Sequence, residues 1–298
     1  MSLNTIKRGT NHNQKQRYFC KNCKIYFQRY RSINTKIILE IWKKFVWQRQ
    51  TLKMLSDTYG FTRKNIQAIF KHTPYIKPKI KPCSIILIAD CTFFSRYDGL
   101  CIFYAVNLKK VITYCTIRTE SKSVYEKLKQ EIEELGFKIM VVVIDGKKGV
   151  KEVFKPIPIQ MCHFHQISII RRYITNNPRI EAAKELKKLV YNLCKTKKII
   201  FVTDFQKWCF EWDDYLKEKT YHEDGSWHYT HKRLRSARRS IKSNLPYLFT
   251  FEKFPELKIP NTTNELESLN GRLKELLYIH SGYKHNLKIK IIEEILGK

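Results

Sequence analysis

No apolar run in this chain is long enough to cross a bilayer, because charge interrupts each one within about ten residues. A membrane-spanning class is thereby excluded. The opening MSLNTIKRG is polar throughout, so no secretory leader is expected. A disulfide framework is missing too: the nine cysteines are odd in number and scattered, and Cys91, Cys101 and Cys115 fall inside strand-like runs as small hydrophobes. That points to a reducing, cytoplasmic setting. Acid is the scarcest commodity, with 27 Asp and Glu against 57 Lys and Arg, a formal net charge of +30 spread along 298 residues. Such a balance calls for a polyanionic partner, nucleic acid first. Charge alone supports binding, not catalysis. The 43% hydrophobic content is enough for a true core, in one large domain or a medium domain with a smaller appendage.

The first part reads as two small modules. In residues 1–33, QRYFCKNCKIYF sets Cys20 and Cys23 at zinc-knuckle spacing between aromatics. A structural zinc wants four ligands, yet no second Cys pair lies upstream and His12 is the one nearby candidate. The expectation is a partial zinc-ribbon-like segment, with Zn²⁺ in an incomplete shell or a reduced pair without metal. From 34 to 73 the periodicity turns helical, with Ile37, Ile38, Ile41, Trp42 and Phe45 on one face. TLKMLSDTYG stops at Gly60, and TRKNIQAIF starts from Thr62 as N-cap. This is a helix-turn-helix arrangement, whose second helix would carry Arg63, Lys64 and Asn65 to the major groove of DNA. Short amphipathic helix pairs also occur away from DNA, and the basic surroundings favour the DNA reading. Three prolines in HTPYIKPKIKPC then make 74–83 a linker.

Beyond the linker, SIILIADCTFF (84–94), GLCIFYAVNL (99–108) and VITYCTI (111–117) read as an antiparallel meander. A helix follows from Ser121, placing Val124, Leu128, Ile132 and Leu135 at helical spacing before Gly136. IMVVVID is the next strand, ending at Asp145, and IPIQMCHFH (157–165) reads as another short one. Three strands, helix, strand, helix, strand is the order of the RNase H-like α/β fold, in which the first and fourth strands adjoin at the sheet centre. Asp90 and Asp145 would then converge at strand ends, where open α/β sheets place their sites. Paired carboxylates hold divalent cations, and surrounding Lys and Arg hold phosphates. Either Asp alone could equally cap a turn, so the pairing carries the functional reading.

Residues from about 168 to 257 read as a helical insertion, with KIIFVT near Lys198 its one strand-like run. Its last helix, HKRLRSARRSIKSNL, puts Arg235, Arg238, Arg239 and Lys242 on one face with no acid in reach at i,i+4. A phosphate-tracking face is expected, although solvated charged faces share the pattern. After the insertion, NTTNELESLNGRLKELL (261–277) offers a third acid at Glu265, Glu267 or Glu275. Thr262 with Glu265, and Asn264 with Glu267, both have capping-box spacing, so spacing leaves the choice open.

The blocks IADCTFFSR (88–96), VIDGKKGVKEVF (143–154), PIQMCHFHQISIIRRYIT (158–175) and IPNTTNELESLNGRLK (259–274) span most of the chain. Through them it resembles the Mutator-type DDE transposases of bacterial insertion sequences. The resemblance implies a catalytic and metal-binding triad of Asp90, Asp145 in its D-G pair, and Glu267 three positions after T-T-N. It implies a C-x-x-H element at Cys162 and His165, a zinc half-site in spacing, which with Asn264 reads as support for the active site. Mg²⁺ or Mn²⁺ is the implied cofactor. The implied partners are double-stranded DNA, as terminal inverted repeats and as target, and a second copy of the chain, since two ends must be synapsed. A nucleoid-associated enzyme is expected, with no membrane and no small-molecule substrate. The chain departs from the family in its single knuckle and in stopping soon after HSGYKHN. Two rivals share these features: a metal-dependent nuclease or resolvase on the same fold, and a catalytically inactive, element-derived DNA-binding protein.

Overall fold

The computed structural model describes residues 4–28, 34–73, 79–96 and 98–297. Residues 29–33 of the ribbon-like segment and 74–78 of the expected linker lie outside the described residues. Two compact units emerge, Met1–Pro74 and Tyr75–Lys298.

In the first unit, β1 (Thr5–Thr10), β2 (Gln16–Cys20) and β3 (Tyr26–Gln28) form an antiparallel sheet in that order. Cys20 and Cys23 lie at the β2–β3 turn, closed by the Cys20 N–H donating to the Ile25 carbonyl at 3.0 Å. Helices α1 (Thr35–Trp47), α2 (Leu52–Tyr59) and α3 (Arg63–His72) follow. Gly60 ends α2 at φ 69°, a left-handed position that glycine takes without strain, and the Thr62 hydroxyl caps α3 by accepting from the Asn65 N–H. Ile41, Phe45, Leu55, Ile66 and Phe70 are fully buried among the three helices, with the Phe45 and Phe70 rings 4.5 Å apart. This packing leaves Arg63, Lys64, Asn65, Gln67 and Ala68 of α3 exposed.

The second unit is built on a mixed sheet. Its strands are β4 (Ser84–Ser95), β5 (Asp98–Ala105), β6 (Lys110–Ile117), β7 (Lys138–Ile144) and β8 (Ile159–Met161), with α4 (Lys122–Glu134) and α5 (Lys148–Val153) in the connections. The sheet order is β6-β5-β4-β7-β8, antiparallel among the first three strands and parallel from β4 through β8. The first and fourth strands are therefore neighbours at the centre, an α/β arrangement consistent with the RNase H-like fold. Ile85, Leu87, Ile88 and Val141 to Val143 are all fully buried. Burial on both faces explains why β4 and β7 read as unbroken apolar runs, and each such side chain contributes about 1.5–3 kcal/mol. One face packs on Tyr125, Leu128 and Ile132 of α4 and on Phe154.

After β8 come α6 (His163–Ile174), α7 (Glu181–Tyr191), α8 (Lys198–Glu211), α9 (Asp213–Lys217), β9 (Lys219–Tyr221), β10 (Trp227–Tyr229) and α10 (Lys232–Leu248). Ile170, Leu186, Phe201, Phe205, Trp208, Ala237 and Ile241 give this insertion its own core. The chain returns through α11 (Asn264–Ile279), which packs on β4, and α12 (His285–Leu296).

Three expectations are corrected here. The fifth strand stops at Met161, and CHFH opens α6. KIIFVT is the start of α8, because Phe201, Phe205 and Trp208 recur at helical spacing and are buried in the insertion core, which overrides the local strand preference. The insertion is not wholly helical either, since β9 and β10 pair around a turn with Gly225 at φ 77°. Among the described residues, no helix is long and apolar enough to cross a membrane.

Candidate active site

Ile88 of β4 stands opposite Val143 of β7 in parallel register, so two further residues bring Asp90 level with Asp145 on the same face. Adjacent strands lie ~4.8 Å apart, which sets the two carboxylates side by side. Asp145 sits just past the end of β7, and its Oδ1 accepts the Lys147 N–H at 2.9 Å. The turn-capping role is thus real, but it occupies one carboxylate oxygen. The turn depends on Gly146, at φ 87°, where a Cβ would come within 2.6 Å of the Met161 side chain. Gly146→Ala is therefore expected to lower stability by about 1–3 kcal/mol through strain and overlap, and to displace Asp145. Thermal denaturation and a cleavage assay check both effects; a variant as stable as wild type would contradict this packing.

On α11 two of the three candidate acids, Glu265 and Glu267, face different surroundings. Glu265 hydrogen-bonds the Tyr104 hydroxyl and, with burial as the larger cause, pushes that phenol up to about 12. Glu267 turns the other way, and its Oε1 accepts from the Thr263 hydroxyl at 2.8 Å. Neither capping box forms: Thr263 is the N-cap of α11 and makes no side-chain cap bond. Asn264 lies exposed at the start of the helix. Asn270, one turn after Glu267 and buried, donates from Nδ2 to Asp90 Oδ2 at a long 3.4 Å. Sequence reasoning passed over Asn270, whose signal was its i+3 spacing from Glu267.

Cys162 and His165 belong to the same cluster. In a strand, positions i and i+3 face opposite ways, whereas the first turn of α6 puts both side chains on one side. Cys162 Sγ lies 3.4 Å from the Thr263 hydroxyl, and the ligating atoms of Cys162, His165 and Glu267 all fall within 4.8 Å of one another. His165 is pushed up to about 9, first by its hydrogen bond with Cys162 and further by Asp90 and Asp145. Burial pushes Asp90 up to about 6, with Asp145 and Glu120 adding to the rise and His165 opposing it. His165 thus stands close to the Asp90 and Asp145 carboxylates. Two groups not anticipated complete the surroundings. Glu120 pairs with Lys147 at 3.1 Å and accepts from the Tyr125 hydroxyl. Lys151, whose ammonium burial pushes down and Asp145 pulls back up, donates to Asn244 Oδ1 at 2.6 Å. Asn244 in turn donates to Gln166 of α6, so a buried polar chain links the insertion to the sheet edge.

The basic face expected on α10 is only partly free for a ligand. Arg238 pairs with Asp213 at 2.9 Å, while Arg235 stacks over Tyr229 and donates to the Leu216 carbonyl. These partners are distant in sequence, which is why the i,i+4 rule missed them. Arg239 and Lys242 remain exposed. In the first unit, Cys20 is buried and Cys23 exposed. Among the described residues, neither they nor His12 falls in a group of three or more metal-ligating side chains.

No protein-family model matches the sequence, and no curated protein matches it. In solved structures the chain is similar to the Drosophila P element transposase strand transfer complex, at 9% identity and a TM-score of 0.39, over 93% of this chain and 94% of that one. It is also similar to the simian T-cell lymphotropic virus intasome in complex with PP2A regulatory subunit B56 gamma, at 13% identity and a TM-score of 0.22, over 55% and 69%. Likenesses this distant carry no argument about chemistry, which rests on the side chains themselves.

Proposed function

We propose that this chain is a DNA transposase of the Mutator-type DDE class, cutting and rejoining DNA at the ends of its own element by metal-dependent phosphoryl transfer. The observation that supports the reading is the pairing of Asp90 with Asp145 at the ends of β4 and β7, with His165 close to both, and with Glu267 of α11 on the far side of His165, next to Cys162. Hard carboxylate oxygens at the end of a sheet in a chain of net charge +30 fit Mg²⁺ or Mn²⁺ beside a phosphodiester. The donor set therefore suits the cofactor: Asp90 and Asp145 would share one cation, and Glu267 would complete a second position. Bound cations supply the charge that activates an attacking oxygen and steadies a leaving one. The protein's own part is positioning. Gly146 fixes the turn that carries Asp145, Asn270 holds Asp90, and Thr263 orients Glu267. Lys151 supplies positive charge near Asp145, while the Lys147 ammonium pairs with Glu120. No covalent protein intermediate is needed.

The first unit is assigned to DNA recognition through α3. Arg63 and Lys64 are exposed at its start, so replacing both by alanine should not disturb the core. Losing two phosphate contacts would flatten the slope of log Kobs against log salt by about 2. Fluorescence anisotropy across a salt series reads this, and an unchanged slope would remove α3 from the interface. The enzyme assignment is tested by incubating the full chain with labelled DNA from either side of its coding sequence and Mg²⁺ or Mn²⁺. Cleavage at the inverted-repeat boundaries is expected. Folded protein that binds this DNA yet never cuts it would leave only the inactive, element-derived binder.

A further inference from the structure

Cys162, His165 and Glu267 bring a thiol, an imidazole and a carboxylate within 4.8 Å of one another, the one such group of metal-ligating side chains among the described residues. Around tetrahedral zinc, with bonds of about 2.0–2.3 Å, ligand atoms sit about 3.3–3.7 Å apart, so a contraction of about 1 Å would close this shell. The donor set is the wrong one for Mg²⁺. Thiolate and imidazole select a softer ion, and three protein ligands leave a fourth position open. Cys162 and His165 are held by the first turn of α6, with Cys162 fully buried. Thr263 supports both remaining requirements, since it touches Cys162 Sγ and donates to Glu267. Independently of these contacts, His165 Nδ1 is buried without a hydrogen-bond partner, an arrangement that is costly unless a ligand is met there.

We propose that Cys162, His165 and Glu267 form a zinc site distinct from the Asp90–Asp145 pair, and that Zn²⁺ bound there withdraws Glu267 and holds the enzyme inactive. Zinc binding stands on the geometry, and its inhibitory consequence rests on the transposase reading. The contest is over one carboxylate. A filled zinc site keeps Glu267 on the α6 side, and an empty one lets it serve the carboxylate pair.

The test uses the full chain carrying Cys20→Ser and Cys23→Ser, which removes the knuckle thiols, with Co²⁺ as an absorbing probe. One Co²⁺ per chain with a thiolate-to-cobalt charge-transfer band is expected, displaced by one equivalent of Zn²⁺. Adding Cys162→Ser should abolish the band, and Glu267→Gln should weaken binding by about tenfold or more. A folded protein without the band, or a band that survives Cys162→Ser, overturns the site. If Cys162→Ser does not fold, His165→Asn decides, because an unchanged cobalt spectrum in that variant also overturns it. One equivalent of Zn²⁺ beside excess Mg²⁺ should slow DNA cleavage at least about tenfold, and Cys162→Ser should erase that ratio relative to its own zinc-free rate. Zinc-loaded protein that cuts as fast as zinc-free protein overturns the inhibitory role. Should no preparation cut DNA, the transposase reading fails while the cobalt spectrum still decides the zinc site.

Discussion

Asp145→Asn is expected to slow DNA strand cleavage by about a thousandfold or more while leaving DNA affinity within about twofold. Losing a charged cation ligand removes several kcal/mol of charge stabilisation, and about 4 kcal/mol is a thousandfold in rate. The substitution is nearly isosteric, and an amide oxygen can still accept the Lys147 N–H that Asp145 Oδ1 accepts at 2.9 Å. The turn should therefore survive, which separates the loss of charge from a loss of fold. One collateral effect follows from the geometry. Asp145 is among the groups that raise Asp90, so removing its charge should lower the Asp90 pKa from about 6. A companion variant sharpens the result: Asp145→Cys should be inert with Mg²⁺ and recover part of its activity with Mn²⁺, the more thiophilic ion. Asp145→Asn protein that is folded, binds DNA and cuts at the wild-type rate would remove Asp145 from the site.

Asp90→Asn is expected to do two opposite things, abolishing cleavage and raising the stability of the metal-free catalytic unit. The Asp90 carboxyl is raised from 3.8 to about 6, chiefly by burial. A raised acid binds its proton more readily when folded than when unfolded, so its ionisation works against the fold. Above pH 6 the charged group therefore costs on the order of 2–3 kcal/mol, and this cost disappears as pH falls through 6 towards 3.8. For a unit of this size that corresponds to a rise in Tm of about 4–10 °C at pH 7.5. The gain should vanish near pH 4, where the native carboxyl is already neutral. Asn270 can keep its contact, since an asparagine oxygen accepts as the carboxylate does. Calorimetry of the two proteins without divalent cation, at both pH values, makes the comparison. A lower Tm for Asp90→Asn at pH 7.5 would mean that Asp90 is not held in the desolvated position described.

Some of this site was legible in the sequence, for reasons that differ residue by residue. β4 and β7 could be read because strands buried on both faces show as unbroken apolar runs, and their order along the chain implied that they adjoin. The third acid could not be read from spacing, because Glu265, Glu267 and Glu275 all suit a helix. What separates Glu265 from Glu267 is Tyr104, some 160 positions away in sequence, which takes up Glu265. Cys162 and His165 were visible as a pair but were assigned to a strand, where they would have faced apart; the early end of β8 is what aligns them. The arginines of α10 show the same limit from the other side. Arg235 and Arg238 find their partners in Leu216 and Asp213, across an intervening hairpin that no short-range rule connects to them. Local pattern thus reports burial and order well. It reports poorly on which polar groups meet across the fold.

The most direct test of the central claim is whether one protein both cuts and joins. Full-length protein, labelled DNA ends taken from the flanks of its coding sequence, a supercoiled target plasmid and Mn²⁺ or Mg²⁺ are incubated together, and label covalently attached to the plasmid is measured. The account predicts joined product that requires the cation and disappears with Asp90→Asn, Asp145→Asn or Glu267→Gln. Hydrolysed ends with no joined product, from folded protein that binds them, would contradict it and leave a nuclease on the same fold.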